Sequence, residues 1–166
     1  YQFKNSRGVV ATLRELKGFE ITEGHIIMGF KKIVELTGLM GRWQILQENP
    51  KVVCDTAHNS EGLILVLDQI QKEEFWDLHI VLGFVEDKNL DTILPLFPKK
   101  AKYYFARPNI RRGLEVAILQ KKATGFGLVG KSFSTIDKAY KAALKSAAND
   151  DFVFVGGSTF VVAEVV

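Results

Sequence analysis

Four stretches of this chain are apolar almost throughout, and each runs into a polar or glycine-rich cluster: Lys51 to Asp55, Leu78 to Gly83, Lys102 to Ala106 and Phe152 to Gly156. A strand with one face in water alternates apolar with polar residues. A strand apolar throughout is buried on both faces, as in a parallel sheet covered by helices on each side. Helical spacing between the stretches supports that reading. Leu63, Val66, Leu67 and Ile70 mark one helix face, a short helix falls near Leu90 to Phe97, and another covers Gly113 to Ala123. Ser134 opens a further helix, with Asp137 completing a capping box and Ile136, Tyr140, Ala143 and Ala147 on one face. Leu128-Val129 reads as one more short strand, and Trp43 to Leu46 as another. Strands alternating with helices in this way predict an α/β domain with a mostly parallel sheet.

The first forty residues lack this alternation and read as helical. Gly8 to Leu16 is one short amphipathic run. A second helix spans Glu23 to Thr37, with Ile26, Phe30, Ile33 and Thr37 at helical spacing and Gly38 placed to end it.

Composition narrows the class. The chain has 166 residues, enough for one domain of ordinary size plus extra elements, with 47% hydrophobic and 25% charged residues. Its single cysteine, Cys54, cannot form an internal bridge, which fits a reducing, cytoplasmic compartment. No apolar run approaches the ~20 residues of a membrane helix, and no signal-peptide pattern opens the chain. Because the first residue is Tyr1, the expectation is that a natural start was removed or lies upstream. The net charge of +3 comes from scattered basic pairs such as Lys31-Lys32 and Arg111-Arg112, not from a stripe with interleaved aromatics. A nucleic-acid surface is therefore not expected.

In parallel sheets ligands bind beyond the carboxyl ends of the strands. The clusters there are Asp55-Thr56-Ala57-His58-Asn59, Gly83 through Asp87-Lys88, Arg107 to Arg112, and Gly156-Gly157-Ser158. Asp55 can accept hydrogen bonds from ribose hydroxyls. His58 and Asn59 stand at a helix N-terminus, where backbone N–H groups and the helix dipole favour an anion. Equally, Asn59 or Ser60 can simply cap the helix while Asp55 closes a turn. Gly156-Gly157 lets main chain approach a ligand and Ser158 offers a hydroxyl, although a tight turn with a serine cap fits the same residues. Asp87-Lys88 fits a solvent-exposed pair, and Arg42 after Gly41 means little out of context. Cys54 belongs to the core. His25, His58 and His79 have no metal-ligand spacing.

Gly125 to Ser132 matches the pattern G-x-x-x-x-G-K-S. A working P-loop needs a buried strand directly before the match and a helix opening at the Lys-Ser step. Here a helix precedes it and the next helix starts later, so a small P-loop-like NTPase is kept only as an alternative.

Taken in order, these segments resemble the folylpolyglutamate synthase/dihydrofolate synthase branch of the Mur ligases. Tyr1-Gln2 with Asn5 is similar to the family's Gln-then-Asn segment, Gly41-Arg42 to the Gly-Arg that opens its C-terminal domain, and Asp55 to Asn59 to its Asp-x-Ala-His-Asn motif. Asp87-Lys88, Arg112 and Gly157-Ser158 resemble its Asp-Lys pair, its arginine before the next helix and its closing Gly-Ser. The resemblance implies a Rossmann-like, mostly parallel sheet with helices on both faces over residues 41–166. Residues 1–40 would be the helical end of a central ATPase domain whose remainder is missing here.

It also implies ATP-dependent ligation of L-glutamate to a folate or dihydropteroate carboxylate through an acyl phosphate. Asn5, Arg42 and Asp55 would contact ATP. His58, Ser158, Asn59, Asp87, Lys88 and Arg112 would bind glutamate or line the site, with His58 also taking the proton of the attacking amine. Mg2+ would accompany ATP, held mainly by the missing ATPase domain and by no metal ligand in this fragment. The implied protein is a monomer with no nucleic-acid or membrane partner, and the fragment alone is expected to be inactive. A non-catalytic nucleotide-binding module remains the other alternative.

Overall fold

The computed structural model describes residues 2–166, with side chains from residue 5 onward, and its chain forms two units, Tyr1–Met40 and Gly41–Val166. Tyr1 and the side chain of Gln2 lie outside the described residues.

The first unit holds α1 (Gln2–Glu15), α2 (Glu23–Lys31) and α3 (Ile33–Thr37). Thr22 caps α2 by accepting from the His25 backbone N–H at 3.2 Å, and the His25 ring accepts in return from the Thr22 N–H at 3.4 Å. The single helix expected over 23–37 is in fact two, because Lys32 leaves the helical region at φ −109°, ψ 17°. Gly38 ends α3 in the left-handed conformation, where a residue without a Cβ is least strained.

The second unit runs β1 (Gln44–Glu48), β2 (Lys51–Cys54), α4 (Ser60–Ile70), β3 (Leu78–Leu82), α5 (Leu90–Ile93), β4 (Lys102–Ala106), α6 (Val116–Gly125), β5 (Gly130–Phe133), α7 (Ile136–Ser146), β6 (Phe152–Gly156) and α8 (Thr159–Val162). The sheet order is β1-β2-β6-β3-β4-β5. β1 pairs antiparallel with β2, and every other neighbouring pair is parallel.

Val52, Cys54, Val81, Tyr104, Val153 and Val155 pack on one face with Ile136, Ala139 and Ala143 of α7 and Val161 and Val162 of α8. Their neighbours Val53, Ile80, Leu82, Phe105, Phe152 and Phe154 are equally buried and point to the other face. Burying each of those phenylalanines stabilises the fold by about 1.5–3 kcal/mol. The path β2→β3→β4→β5 advances in one direction across the sheet, whereas β5→β6 returns. Right-handed crossovers therefore put α4, α5 and α6 on the face opposite α7. Adjacent strands β2 and β6 thus send their following helices, α4 and α8, to opposite faces. The divergence opens a crevice at their carboxyl ends, the switch point of such a sheet.

Three boundaries differ from expectation. α6 begins at Val116 because Arg107 to Glu115 is held as a loop, with the Arg107 side chain donating to the Gly113 carbonyl at 2.9 Å. α7 is capped by Thr135, not Ser134. The strand expected at Leu128-Val129 lies at Gly130–Phe133. That last shift removes the P-loop alternative. Gly125 ends α6, Gly130-Lys131-Ser132 is extended backbone paired to Tyr103–Phe105, and the Ser132 hydroxyl donates to the Gln120 side chain. No helix opens at the Lys-Ser step to hold a phosphate.

At the opposite end of the sheet His79 is fully buried, one ring nitrogen 2.9 Å from the Tyr104 hydroxyl and the other 3.1 Å from Asp151 Oδ2. Burial holds the imidazole below its ordinary pKa, although the Asp151 hydrogen bond works the other way.

Candidate functional site

The last residue of β2 delivers Asp55 into the crevice fully buried. Its Oδ1 accepts from the Ala57 N–H at 2.8 Å, which closes the turn, and its Oδ2 accepts from the Trp43 N–H at 2.7 Å. The second bond ties the loop before β1 to the end of β2. Two further bonds complete the tie: the Thr56 N–H donates to the Gly41 carbonyl at 2.9 Å, and the Gly41 N–H to the Gln44 side chain at 2.8 Å. Gly41 has φ +70°, and a Cβ there would lie 2.7 Å from Thr56 Cγ2 and 2.9 Å from Val162 Cγ1. Trp43 has φ +47°, a region that a bulky residue occupies at a cost of about 1–3 kcal/mol. Between Gly41 and the strained Trp43 stands Arg42, exposed and without a hydrogen-bond or ion-pair partner among the described residues.

Asp55 therefore offers no accessible surface to a ligand in this conformation; it holds the loop that carries Arg42. Its charge also helps burial push the Cys54 thiol up to about 11, so the cysteine stays protonated and inert at neutral pH.

His58 is exposed, with Nδ1 2.9 Å from the Thr56 carbonyl oxygen. A carbonyl only accepts, so Nδ1 carries the proton in the neutral ring and Nε2 keeps a lone pair for a ligand. Asn59 caps α4 by accepting from the Gly62 N–H at 2.9 Å.

Beside this turn, the end of β6 is bare main chain. A Cβ on Gly157 (φ +93°) would meet the Gly83 carbonyl at 2.7 Å, and one on Gly83 would meet the Ala106 carbonyl at 2.6 Å. Ser158 is 3% exposed and caps α8 by accepting from the Phe160 N–H at 3.2 Å.

The loops after β3 and β4 are joined to each other. The Glu86 N–H donates to the Arg112 carbonyl at 3.0 Å, the Leu114 N–H to the Phe84 carbonyl at 2.9 Å, and Val85 bridges Gly113. Asp87 and Arg112, both exposed, approach to 4.0 Å, and the Arg112 guanidinium lies 5.1 Å from the centre of the Phe160 ring. Glu86, Ile110, Arg111, Arg112 and Phe160 line an open groove there. Lys88 is half-buried.

Arg42, Asp55 and the Gly156-Gly157-Ser158 turn are thus gathered at the ends of β2 and β6, and Asp87 and Arg112 at the ends of β3 and β4. No hydrogen bond or ion pair among the described residues joins His58 or Asn59 to the second group. Asn5 lies exposed in α1, within the other unit. Two residues that shape the site, Trp43 and Phe160, carry no signal in the sequence. Each matters through a contact with a distant segment.

A family model described as Mur ligase, glutamate ligase domain, matches residues 41–159. The dihydrofolate synthase/folylpolyglutamate synthase of Escherichia coli K12 is 28% identical over 162 residues, covering 97% of this chain and 36% of that protein. A probable bifunctional folylpolyglutamate synthase/dihydropteroate synthase of Haloferax volcanii is 30% identical over 125 residues, covering 75% of this chain and 15% of that protein. The solved structure of E. coli FolC in complex with DHPP and ADP superposes with a TM-score of 0.81 at 27% identity, covering 97% of this chain and 37% of that one. The chain spans between 15% and 36% of the length of these two curated relatives. Its sheet order, the crevice between β2 and β6 and the match over residues 41–159 all lead to one assignment: this chain belongs to the Mur ligase family, with its second unit the glutamate ligase domain.

Proposed function

We propose that this chain is the C-terminal part of an ATP-dependent ligase that joins L-glutamate to a carboxylate of folate or dihydropteroate. Residues 1–40 are then the end of a central ATPase domain. In support, Ile26 is the one buried hydrophobic residue in that unit among the described residues, while Phe19, Ile27, Met28, Val34, Leu36 and Met40 are exposed. So much uncovered apolar surface calls for a cover, which the rest of such a domain would supply. The named relatives and the E. coli structure with DHPP and ADP support the substrate class.

In the proposed reaction the acceptor carboxylate takes the γ-phosphoryl group of ATP, forming an acyl phosphate and releasing ADP. The glutamate amine then attacks the acyl carbon, loses a proton, and phosphate departs as the amide forms. The domain contributes by placing groups and offsetting charge. Arg42 faces the phosphates as a permanent cation. Asp55 aids ATP indirectly, by fixing the Arg42 loop, and Asn5 adds a contact from the first unit. The free Nε2 of His58 receives the amine proton, and Ser158, Asn59, Asp87, Lys88 and Arg112 hold the amino acid. Mg2+ with ATP would neutralise phosphate charge. Among the described residues no three His, Cys, Asp or Glu side chains gather to hold a metal.

The observation that carries the reading is Arg42, unpaired and exposed on a strained loop pinned to the family's acidic turn. The test is ATP- and folate-dependent incorporation of labelled glutamate by the intact enzyme that carries this chain, beside Arg42→Ala. A charged hydrogen bond of about 1.5–3 kcal/mol predicts a loss of roughly 10–100-fold in kcat/KM for ATP. No incorporation with any folate or pteroate acceptor would return the chain to a non-catalytic nucleotide-binding module, and normal ATP kinetics in the variant would remove Arg42 from the ATP site.

A further inference from the structure

Arg112 has a fixed backbone and a side chain that little else holds. Its carbonyl accepts from the Glu86 N–H, yet among the described residues its guanidinium has only Asp87 at 4.0 Å as an ion-pair partner, with both side chains about 60% exposed (59% and 61%). Such a pair is weak and screened by salt. An arginine this free samples many rotamers, and a ligand that binds it must restrict them all.

The Phe160 ring limits that freedom. It lies 5.1 Å from the guanidinium carbon, and the backbone that carries it is fixed at three points. Its backbone N–H is bonded to the Ser158 hydroxyl, and the next residues, Val161 and Val162, are core at 0% and 2% exposure. The far end of the segment is tied to the arginine's own loop, because the Asn109 N–H donates to Glu164 Oε1 at 2.7 Å. A ring on a backbone so held offers its face to the cation from a fixed base, and a guanidinium that meets a ring by its face can still donate along its edge.

We propose that Phe160 is the positioning residue that presents Arg112 to a carboxylate of the incoming amino acid. This rests on the ligase reading, and the groove formed with Glu86, Ile110 and Arg111 is where that carboxylate enters. Phe160 also links the amino-acid groups to each other, since Ser158 holds the backbone that carries the ring beside Arg112.

The experiment is steady-state ligation by the intact enzyme, varying glutamate, for wild type, Phe160→Leu, Phe160→Tyr and Arg112→Ala, with thermal melting of each. Loss of an exposed cation–π contact predicts a rise of about 2–5-fold in KM for glutamate in Phe160→Leu, with kcat and KM for ATP within about twofold of wild type. Phe160→Tyr, which keeps the ring, restores the glutamate KM, and Arg112→Ala raises it further. An unchanged glutamate KM in Phe160→Leu, while Arg112→Ala raises it, overturns the positioning role alone. An unchanged glutamate KM in Arg112→Ala overturns the glutamate assignment and the inference with it. Should Phe160→Leu melt early, Phe160→Tyr together with Phe160→Trp decides: elevated KM in both despite normal melting refutes the stack.

Discussion

Replacing Asp55 by alanine removes the acceptor for two backbone N–H groups at once, Trp43 at 2.7 Å and Ala57 at 2.8 Å. The site is buried, so water does not readily take the place of the carboxylate. A donor left without its partner costs about 1–3 kcal/mol, and two such donors give a loss of about 2–6 kcal/mol. Relief of the strain at Trp43, about 1–3 kcal/mol, offsets part of it by letting residues 41–43 leave their conformation. That relief is what matters for activity, since the Arg42 loop is then unpinned. Asp55→Asn separates the two effects. Its single amide oxygen can satisfy one donor while its NH2 group faces the other, for a loss of about 1–3 kcal/mol. Urea unfolding of this chain, followed by tryptophan fluorescence, measures the stability series. The order wild type, Asn, Ala should hold, and in the intact enzyme KM for ATP should rise in the same order. An alanine variant with the wild-type KM for ATP would show that the carboxylate does not hold the loop.

Two further predictions follow from the sheet's other end and its edge. His79 is held below its ordinary pKa by burial, so the unfolded chain binds a proton more readily; stability is fully present above pH ~6.5 and falls as pH drops below it. Burial opposes the ionised form of Asp151, but the N–H groups of Ala148 and Asp77 and the His79 ring still hold its carboxyl below the usual range, which adds a second loss at more acidic pH. Denaturation midpoints between pH 7 and 5 should therefore decline in wild type and flatten in His79→Gln, and a flat wild-type profile would contradict the assignment. Lys131→Ala, on the exposed edge strand β5, should leave ATP binding and ligation by the intact enzyme unchanged, measured by calorimetry and turnover. A strong loss would revive the P-loop alternative.

The strands were readable because burial on both faces removes the need for polar alternation. Val52 to Cys54, Leu78 to Leu82 and Phe152 to Gly156 declare themselves in composition alone. β5 was misplaced for the converse reason. It is an edge strand pairing only with β4, so Gly130-Lys131-Ser132 can stay polar and half in water, while the more apolar Leu128-Val129 precedes it as a connection. The break at Lys32 left no mark because apolar spacing continues through it. In the site, the polar strand ends could be located, but not what each carboxylate or cation touches. Asp55 could be marked as a polar strand end, but nothing in its neighbours reveals the Trp43 N–H twelve positions earlier as a partner of its carboxylate. The contact of Phe160 with Arg112 likewise joins segments that meet only after β6 has been inserted between β2 and β3.

Gly83 lies against the Ala106 carbonyl, Gly157 against the Gly83 carbonyl and Gly156 against the Phe154 ring and the Asp55 carbonyl, with no room for a side chain at any of them. A floor made this way has no chemical identity for mutation to alter; any substitution there breaks the fold before it changes a preference. Variation in what the crevice accepts must therefore accumulate at its walls, in the loops from Glu86 to Lys88 and Arg107 to Arg112 and on α8. The division leaves a part that diverging sequences inherit unchanged, surrounded by one they are free to rewrite.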